Sequence, residues 1–276
     1  MLEPIFRDTD RPAQLARALE ARRSISDDRF EEAEILDELI PLYHEQLDQT
    51  EKAFEHSCRQ FELDPGREEI WLRVEQLGAK LNRWATIEEV FSAHANENEE
   101  QSGSFTNINL LRHLAAIREY QLRKPEEALN AWKQVHAAEP TDPAVIDALE
   151  RLYRQLGREK ELVDILDIRE NLGDNDATRI ELLSEIALLS ETALDDRPRA
   201  IDAYRRVLLL EEDHAEAVDA LARLYAETEA WLDLDELYVA QADLAMDPDR
   251  RRHFLLNLGK IRAEHLADSD GAADIL

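Results

Sequence analysis

The sequence predicts an all-α protein, a superhelical solenoid of antiparallel helix pairs. Residues 128–153 return 72 positions later as residues 200–225, and each copy reads as an amphipathic helix, a short acidic turn and a second amphipathic helix. Glycine (7) and proline (9) are scarce, while the helix formers Ala, Leu, Glu and Arg dominate. Because no segment shows the sustained alternation of a strand, we predict helices alone.

The repeat extends over the whole chain in units of 72 to 75 residues, each with four helical stretches. We predict one solenoid over residues 1–276, with units at about 1–73, 74–148, 149–220 and 221–276. The lengths differ through a longer loop at residues 95–106, rich in Asn, Ser and Gly. Equivalent positions are Leu2, Val74, Leu149 and Leu221; Ile5, Leu77, Leu152 and Leu224; Ile35, Leu110, Leu182 and Phe254; and Ala53, Ala128, Ala200 and Ala272.

The spacing of apolar residues sets the individual helices. Pro41 lies inside one helical run and predicts a kink near Asp37 or a split helix. Turns of a few residues make neighbouring helices antiparallel. The predicted helices are 1–8, 11–24, 28–47, 50–62, 67–81, 83–94, 105–122, 124–138, 142–157, 159–170, 176–194, 197–210, 214–229, 231–246, 249–266 and one starting at 270.

Local signals mark several helix ends. Asp142 and Asp247 each precede a proline, as an N-cap residue before the first helical position does. Asp213 and Glu216 have the spacing of a capping box, and Gly157 stands where a helix would end.

The chain is strongly acidic, with 62 Asp and Glu against 33 Lys and Arg and a formal net charge of −29. Binding to nucleic acid or to an anionic membrane needs a basic face, so we expect neither partner. The acidic surface either keeps a long helical array soluble or selects a basic partner. No run approaches the roughly 20 apolar residues that span a bilayer, and the N-terminus lacks a signal-peptide pattern. Cys58 is the single cysteine, which excludes an internal disulfide and favours the cytoplasm.

The motifs of catalysis and metal binding are missing from the sequence. The eight histidines are scattered, and no HExxH, CxxC, GxSxG or GxGxxG occurs. We therefore expect no catalytic residue, metal ion or cofactor, and a protein that is not an enzyme. Cys58 reads as a buried small hydrophobe. Trp84 and Trp231 share a repeat position, which favours helix packing over a role as ligand anchors.

A family resemblance follows from two sets of residues. A helix A pattern is formed by Ile146, Leu149, Tyr153 and Gly157, and a helix B pattern by Ala128, Trp132, Val135 and Pro140. These residues resemble the tetratricopeptide repeat, a helix–turn–helix unit of about 34 residues. The resemblance covers the entire chain and is similar to large bacterial arrays, although Leu162, Leu234 and Glu212 depart from the pattern. It implies a right-handed superhelix of about seven hairpins and a non-catalytic scaffold that cradles a peptide segment or helix in its concave groove.

On this register the exposed face of helix A lines the groove, and several of its residues are basic. They predict a positive strip for an acidic peptide or carboxylate; the alternative is ordinary ion pairing of Arg with the abundant Glu. Family members that clamp a C-terminal carboxylate place Lys where Asp147 and Asp219 stand here, so we do not expect that activity. The candidate residues are Gln76, Lys80, His113, Arg151, Arg154, Gln155, Arg223 and Glu227.

The function that the sequence favours is a protein–protein interaction scaffold with a protein or peptide partner. Two alternatives remain: a regulatory or substrate-docking arm of a larger enzyme, and an acidic chaperone or decoy for basic proteins. Met1 aligns with the middle of a helix, and the chain stops about two turns into its last helix. We therefore expect a piece of a longer solenoid, truncated at both ends and open to end-to-end self-association.

Overall fold

A computed structural model describes residues 3–97 and 105–275 of the chain. All regular structure in these two ranges is helical, which confirms the all-α prediction. The helices form two compact units, residues 1–140 and residues 141–276. The prediction of a single array in units of 72 to 75 residues stays a prediction.

Unit 1 contains eight described helices, each packed against the next in sequence. The turns between them are short, so successive helices run antiparallel and pair as hairpins. The helices α3 and α7 each continue into a π-helical turn. The elements are α1 (Glu3–Asp8), α2 (Pro12–Ile25), α3 (Arg29–Pro41) with its π turn (Leu42–Gln46), α4 (Thr50–Leu63), α5 (Glu68–Lys80), α6 (Trp84–Glu97), α7 (Phe105–Ala116) with its π turn (Ile117–Gln121), and α8 (Pro125–Ala138).

Unit 2 repeats this arrangement with eight further helices in the part of the chain that is described. Each predicted helix is found in the structure with ends within about one turn of the prediction. The sixteen described helices make eight pairs, and the first and last pairs each contain one short helix. The number of pairs is therefore close to the prediction of about seven hairpins. The elements are α9 (Pro143–Leu156), α10 (Glu159–Asn171), α11 (Asp176–Thr192), α12 (Arg197–Leu210), α13 (Ala215–Glu227), α14 (Trp231–Leu244), α15 (Pro248–Glu264) and α16 (Ser269–Ile275).

The turn inside each hairpin contains one residue with a left-handed backbone. After α1, α5, α9 and α13 the amide that follows this residue bonds five residues back, as Arg158 N does to Tyr153 O at 3.0 Å. After α3, α7, α11 and α15 it bonds six residues back, as Asp196 N does to Ser190 O at 2.8 Å. Two turn geometries therefore alternate along the chain. The left-handed residues are Asp10, Asn82, Gly157 and Glu229 in the first set, and Asp48, Arg123, Asp195 and Ala267 in the second.

The helix that contains Pro41 is not split there. It stays α-helical to Pro41 and then widens into the π turn. The equivalent π turn after α7 follows Ala116, so a proline is not its cause. The wide turn belongs to the hairpin geometry of alternate pairs, and Pro41 is accommodated just before it.

The equivalent apolar positions form the cores of both units. Val74, Leu149 and Leu221 are buried, and so are the two other sets from the second repeat onward. The four equivalent alanines are at most 4% exposed, so their predicted burial is confirmed, and burial is what a small residue at a close helix contact requires. Ile5 is the exception at 54% exposure, because α1 has only six residues and buries none of them.

Two local predictions need correction. The capping box at Asp213 is wrong, because α13 begins at Ala215 and His214 is its N-cap residue: His214 Nδ1 accepts from Ala217 N at 3.3 Å. The repeat register gives the reason, since His214 is equivalent to Asp142, which caps α9 as predicted. Of the loop predicted at 95–106, residues 95–97 and 105–106 are helical, and residues 98–104 lie outside the described ranges.

Candidate functional site

The helices α3, α5 and α7 are the first helices of consecutive hairpins in unit 1, and the sequence predicts that such helices line the groove. Polar side chains join them across the hairpin boundaries. Lys80 Nζ on α5 lies 3.0 Å from His44 Nε2 in the π turn after α3. His113 Nδ1 on α7 lies 2.7 Å from Glu75 Oε1 on α5.

A cleft of about 230 Å³ lies between α3 and α5, and we call it the α3–α5 cleft. Of the candidate residues it contains Gln76 and Lys80, both exposed on α5. Its apolar wall is short, and its remaining lining is polar. The wall comprises Ile40, Pro41 and Leu77, and the polar residues are Asp37, His44, Glu45, Arg73, Gln76 and Lys80.

Hydrogen bonds hold the Asp37 end of this cleft in place. The fully buried Gln60 donates from Nε2 to Asp37 Oδ1 at 2.7 Å and accepts from Arg73 Nη1 at 3.0 Å. Arg67 Nη1 adds a longer bond of 3.5 Å to the other carboxylate oxygen of Asp37. Since these groups satisfy one another, the Asp37 end is a fixed wall.

The Lys80 end is different. Its ammonium donates to the imidazole of His44, whose Nδ1 lies 3.4 Å from Thr50 Oγ1. In the part of the chain that is described, no carboxylate lies within 4.0 Å of Lys80 Nζ. The four formal charges of the lining, two from Arg73 and Lys80 and two from Asp37 and Glu45, sum to zero with His44 neutral. The cleft is therefore a neutral section of a highly acidic chain.

His113 lies outside this cleft, on the other side of α5. Its ring meets the edge of Trp71 with centroids 5.8 Å apart. The hydrogen bond to Glu75 raises the pKa of His113 against the opposing effect of burial. His113 therefore joins α7 to α5 through Glu75, and the structure does not bring it together with Gln76 and Lys80.

In unit 2 the candidate residues on α9 are Arg151, Arg154 and Gln155, and all three are exposed. Arg154 bonds to Glu150 on its own helix and, at 2.7 Å, to Glu185 on α11. Burial is the largest single effect on Arg154 and lowers its pKa. The interactions with Glu185 and Glu150 together outweigh burial, so the pKa of Arg154 is raised.

The candidates on α13 are also ion-paired. Arg223 Nη1 lies 2.7 Å from Glu191 on α11 and 3.4 Å from Glu227 on its own helix. Glu227 also lies 3.7 Å from Arg197. The positive charge predicted for this face of unit 2 is thus largely compensated by Glu, which fits the ion-pairing alternative.

Sequence reasoning missed His44 and Arg73 in the α3–α5 cleft. His44 lies in the π turn, whose wider period displaces side chains from the regular helical register used to assign the groove face. The repeat also shows what is special here: the positions of Lys80 and His44 hold Glu227 and Glu191 in unit 2. A comparison of equivalent positions would have found this change of charge.

The structure also gives the positions of the single cysteine and of the four tryptophans. Cys58 is buried, and burial raises the pKa of its thiol to about 12. Trp71 and Trp132 are buried, while Trp84 and Trp231 are half-buried, the latter stacked on His265. In the described ranges no three His, Cys, Asp or Glu side chains are placed to hold a metal ion. Nor does any described helix combine the length and the apolar character needed to cross a membrane.

Comparisons with known proteins find only remote similarities to solved structures. No family model matches the chain, and no curated protein matches it. Solved structures similar to it include Naa15/Naa10 bound to HypK-THB, at 15% identity and a TM-score of 0.46 over 99% of this chain. A tetratricopeptide repeat protein from Parabacteroides merdae has 12% identity and a TM-score of 0.38, covering 88% of this chain and 90% of that one. YrrB, a TPR protein with an unusual peptide-binding site, has 18% identity and a TM-score of 0.33, covering 68% and 89%. The chain spans 40% of the length of the first of these.

Proposed function

We propose that the protein is a non-catalytic, cytoplasmic scaffold that binds a peptide segment of a partner protein, with the α3–α5 cleft as its main contact. The observation that supports this most is the placement of Lys80. It is a cation with no carboxylate partner in the described ranges, beside an apolar wall, in a chain of net charge −29.

The bonding of Lys80 makes exchange with a ligand favourable. A hydrogen bond from an ammonium to a neutral imidazole is weaker than a charge-assisted bond from the same ammonium to a carboxylate. An Asp or Glu of a bound segment would therefore draw Lys80 from His44, while Gln76 donates or accepts beside it. An apolar side chain next to that carboxylate would lie against Ile40, Pro41 and Leu77.

The size of the cleft also favours a peptide. About 230 Å³ is below the range of pockets that enclose whole small molecules, and it suits one or two side chains of a longer segment. His113, outside the cleft, continues the row of candidate residues from α5 onto α7. In unit 2 we propose a weaker contact in which Arg154 and Arg223 exchange their Glu partners for carboxylates of the partner. There Arg151, Gln155 and Glu227 flank them.

Selection from a library of random twelve-residue peptides tests the proposal. We expect the enriched peptides to carry Asp or Glu beside an apolar residue, and Lys80→Glu to weaken their binding by about tenfold, since it replaces an attraction by a repulsion. The matched control is Lys160→Glu, an exposed lysine on α10, which should bind like the wild type. Equal binding by wild type and Lys80→Glu would exclude this cleft as the contact.

A further inference from the structure

A second cleft, of about 310 Å³, lies within unit 2 where α14 turns into α15. It shares no residue with the α3–α5 cleft. Its floor is the ring of Phe254, and its lip is formed by Leu244 and Met246. The carboxylates of Asp213 and Asp247 stand at its rim. We call it the α14–α15 cleft.

The apolar lip is not explained by folding. Met246 is 99% exposed, so its side chain takes no part in the core, and Leu244 is 41% exposed, so its side chain is only partly covered. In two of the three other repeats the position of Met246 is acidic, with Asp27 and Asp174, and the third repeat holds Ser102 there. An exposed methionine beside an apolar floor, where the other repeats hold polar residues, is typical of a surface that a partner covers.

The carboxylates at the rim of the cleft indicate that the partner is positively charged. Neither Asp213 nor Asp247 lies within 4.0 Å of a cationic group in the described residues, although Asp247 also caps α15 by accepting from Asp249 N at 3.1 Å. Asp213 follows Glu211 and Glu212, and all three are exposed. The buried Gln241 donates to the carbonyl oxygen of Glu212 at 2.7 Å, which holds this acidic turn against α14.

One cation opposes this acidic rim. The guanidinium of Arg250 lies 5.9 Å from the centroid of the Phe254 ring and occupies the cleft without an ion pair to either rim carboxylate. It covers an apolar surface that a bound side chain would use.

We propose that the α14–α15 cleft binds a basic segment of a partner protein. A bulky apolar side chain of that segment lies on Phe254 between Leu244 and Met246. Lys or Arg residues on either side of it pair with Asp213 and Asp247, and Arg250 moves aside. The chain therefore has a contact for a basic segment that is separate from the contact for an acidic segment in unit 1.

Fluorescence anisotropy with synthetic peptides tests this assignment on the full chain. The probe is a labelled peptide with a central Leu-Phe and three Lys on each side. We expect Met246→Asp, which introduces the residue found at two of the three equivalent positions, to weaken its binding by about tenfold, because it removes the apolar contact with the central Leu-Phe. Asp213→Lys should weaken it by about fivefold. Arg250→Ala should strengthen binding, because it removes the competing cation and uncovers the ring.

Matched controls separate this cleft from general attraction to an acidic protein. Leu232→Asp replaces another exposed apolar residue of unit 2, and Asp174→Lys reverses another exposed carboxylate; both should bind the probe like the wild type. A peptide with Gly-Ser in place of Leu-Phe should bind poorly to every variant. Undetectable binding to the wild type, or equal binding by Met246→Asp and Leu232→Asp, would overturn the proposal. A concentration-dependent dimer that Met246→Asp abolishes, without peptide binding, would assign the cleft to a second copy instead.

Discussion

At the scale of the residue, the alanines at the hairpin contacts show how directly side-chain size sets the fold. Ala200 on α12 and Ala128 on α8 are both fully buried. We expect Ala200→Trp to lower the free energy of unfolding by about 1–3 kcal/mol or more, because a large side chain overpacks a close helix contact. Urea denaturation measures the change, with Ala226→Trp on the exposed face of α13 as the control. Equal losses in the two variants would contradict the repeat register.

His113 gives a prediction of pH dependence. Its pKa is raised in the folded protein, chiefly by the hydrogen bond to Glu75. The bond therefore contributes stability that is fully present below the unfolded pKa of about 6.5 and is lost as the pH rises through the folded pKa. We expect His113→Gln to be more destabilising near pH 5.5 than near pH 8.5, in chemical denaturation at each pH.

His56 provides the control of opposite sign. It lies 2.8 Å from Glu20 Oε1, and burial, the largest effect, lowers its pKa. Since the folded state favours neutral imidazole, its stability is present above the unfolded pKa and is lost as the pH falls through the folded pKa. The loss caused by His56→Gln should therefore be larger at high pH than at low pH. Parallel pH profiles for the two variants would contradict both assignments.

At the scale of the element, the turns after α1, α5, α9 and α13 each place one residue in the left-handed backbone conformation. In three of these four turns that residue bears a Cβ, which makes the conformation unfavourable. Gly157 has φ of 63°, while its equivalent Glu229 has φ of 54° although it bears a Cβ. We expect Glu229→Gly to stabilise the protein by up to about 1 kcal/mol, because glycine adopts the left-handed conformation without steric penalty. Thermal unfolding measures it. Glu236→Gly, in the interior of α14, should destabilise by a similar amount, and stabilisation by both changes would contradict the argument.

The helices were predictable because apolar periodicity is local and repeats across four units. The cap of α13 was not, since whether Asp213 or His214 caps the helix depends on where the helix begins. The π turn of α3 was not predicted either, because apolar periodicity does not encode the backbone bonds that close it, from Leu47 N to Leu42 O and from Gln49 N to Tyr43 O.

The candidate site was predictable in part for a related reason. The face of α5 follows from helical register, so Gln76 and Lys80 were found. The pairing of Arg154 and Arg223 with α11 was not, because each arginine, besides a carboxylate on its own helix, bonds to one on α11 that is 31 or 32 residues away in sequence. The same pairing decides whether a basic residue is available to a ligand.

At the scale of the whole molecule, two electrostatic effects oppose each other. Many arginines form ion pairs with Asp or Glu, and salt weakens such pairs when they are exposed. Exposed pairs contribute about 0–1 kcal/mol each. The net charge of −29 acts in the other direction, because mutual repulsion of the unpaired carboxylates favours the unfolded chain, and salt screens it.

We expect repulsion to dominate, since 62 acidic residues exceed 33 basic ones and every pair leaves the excess of 29 carboxylates unchanged. The melting temperature should therefore rise between about 10 mM and 200 mM NaCl, where the Debye length falls from roughly 30 Å to below 10 Å. An equal rise of the melting temperature in KCl would show that screening, rather than a specific ion, causes the effect. Sucrose at matched osmolality should not reproduce the steep rise at low salt. A variant with several exposed, unpaired carboxylates changed to glutamine should melt higher at low salt and show a smaller rise. A melting temperature that is flat or falls with salt would mean that the ion pairs between neighbouring helices, rather than net charge, control the stability of this fold.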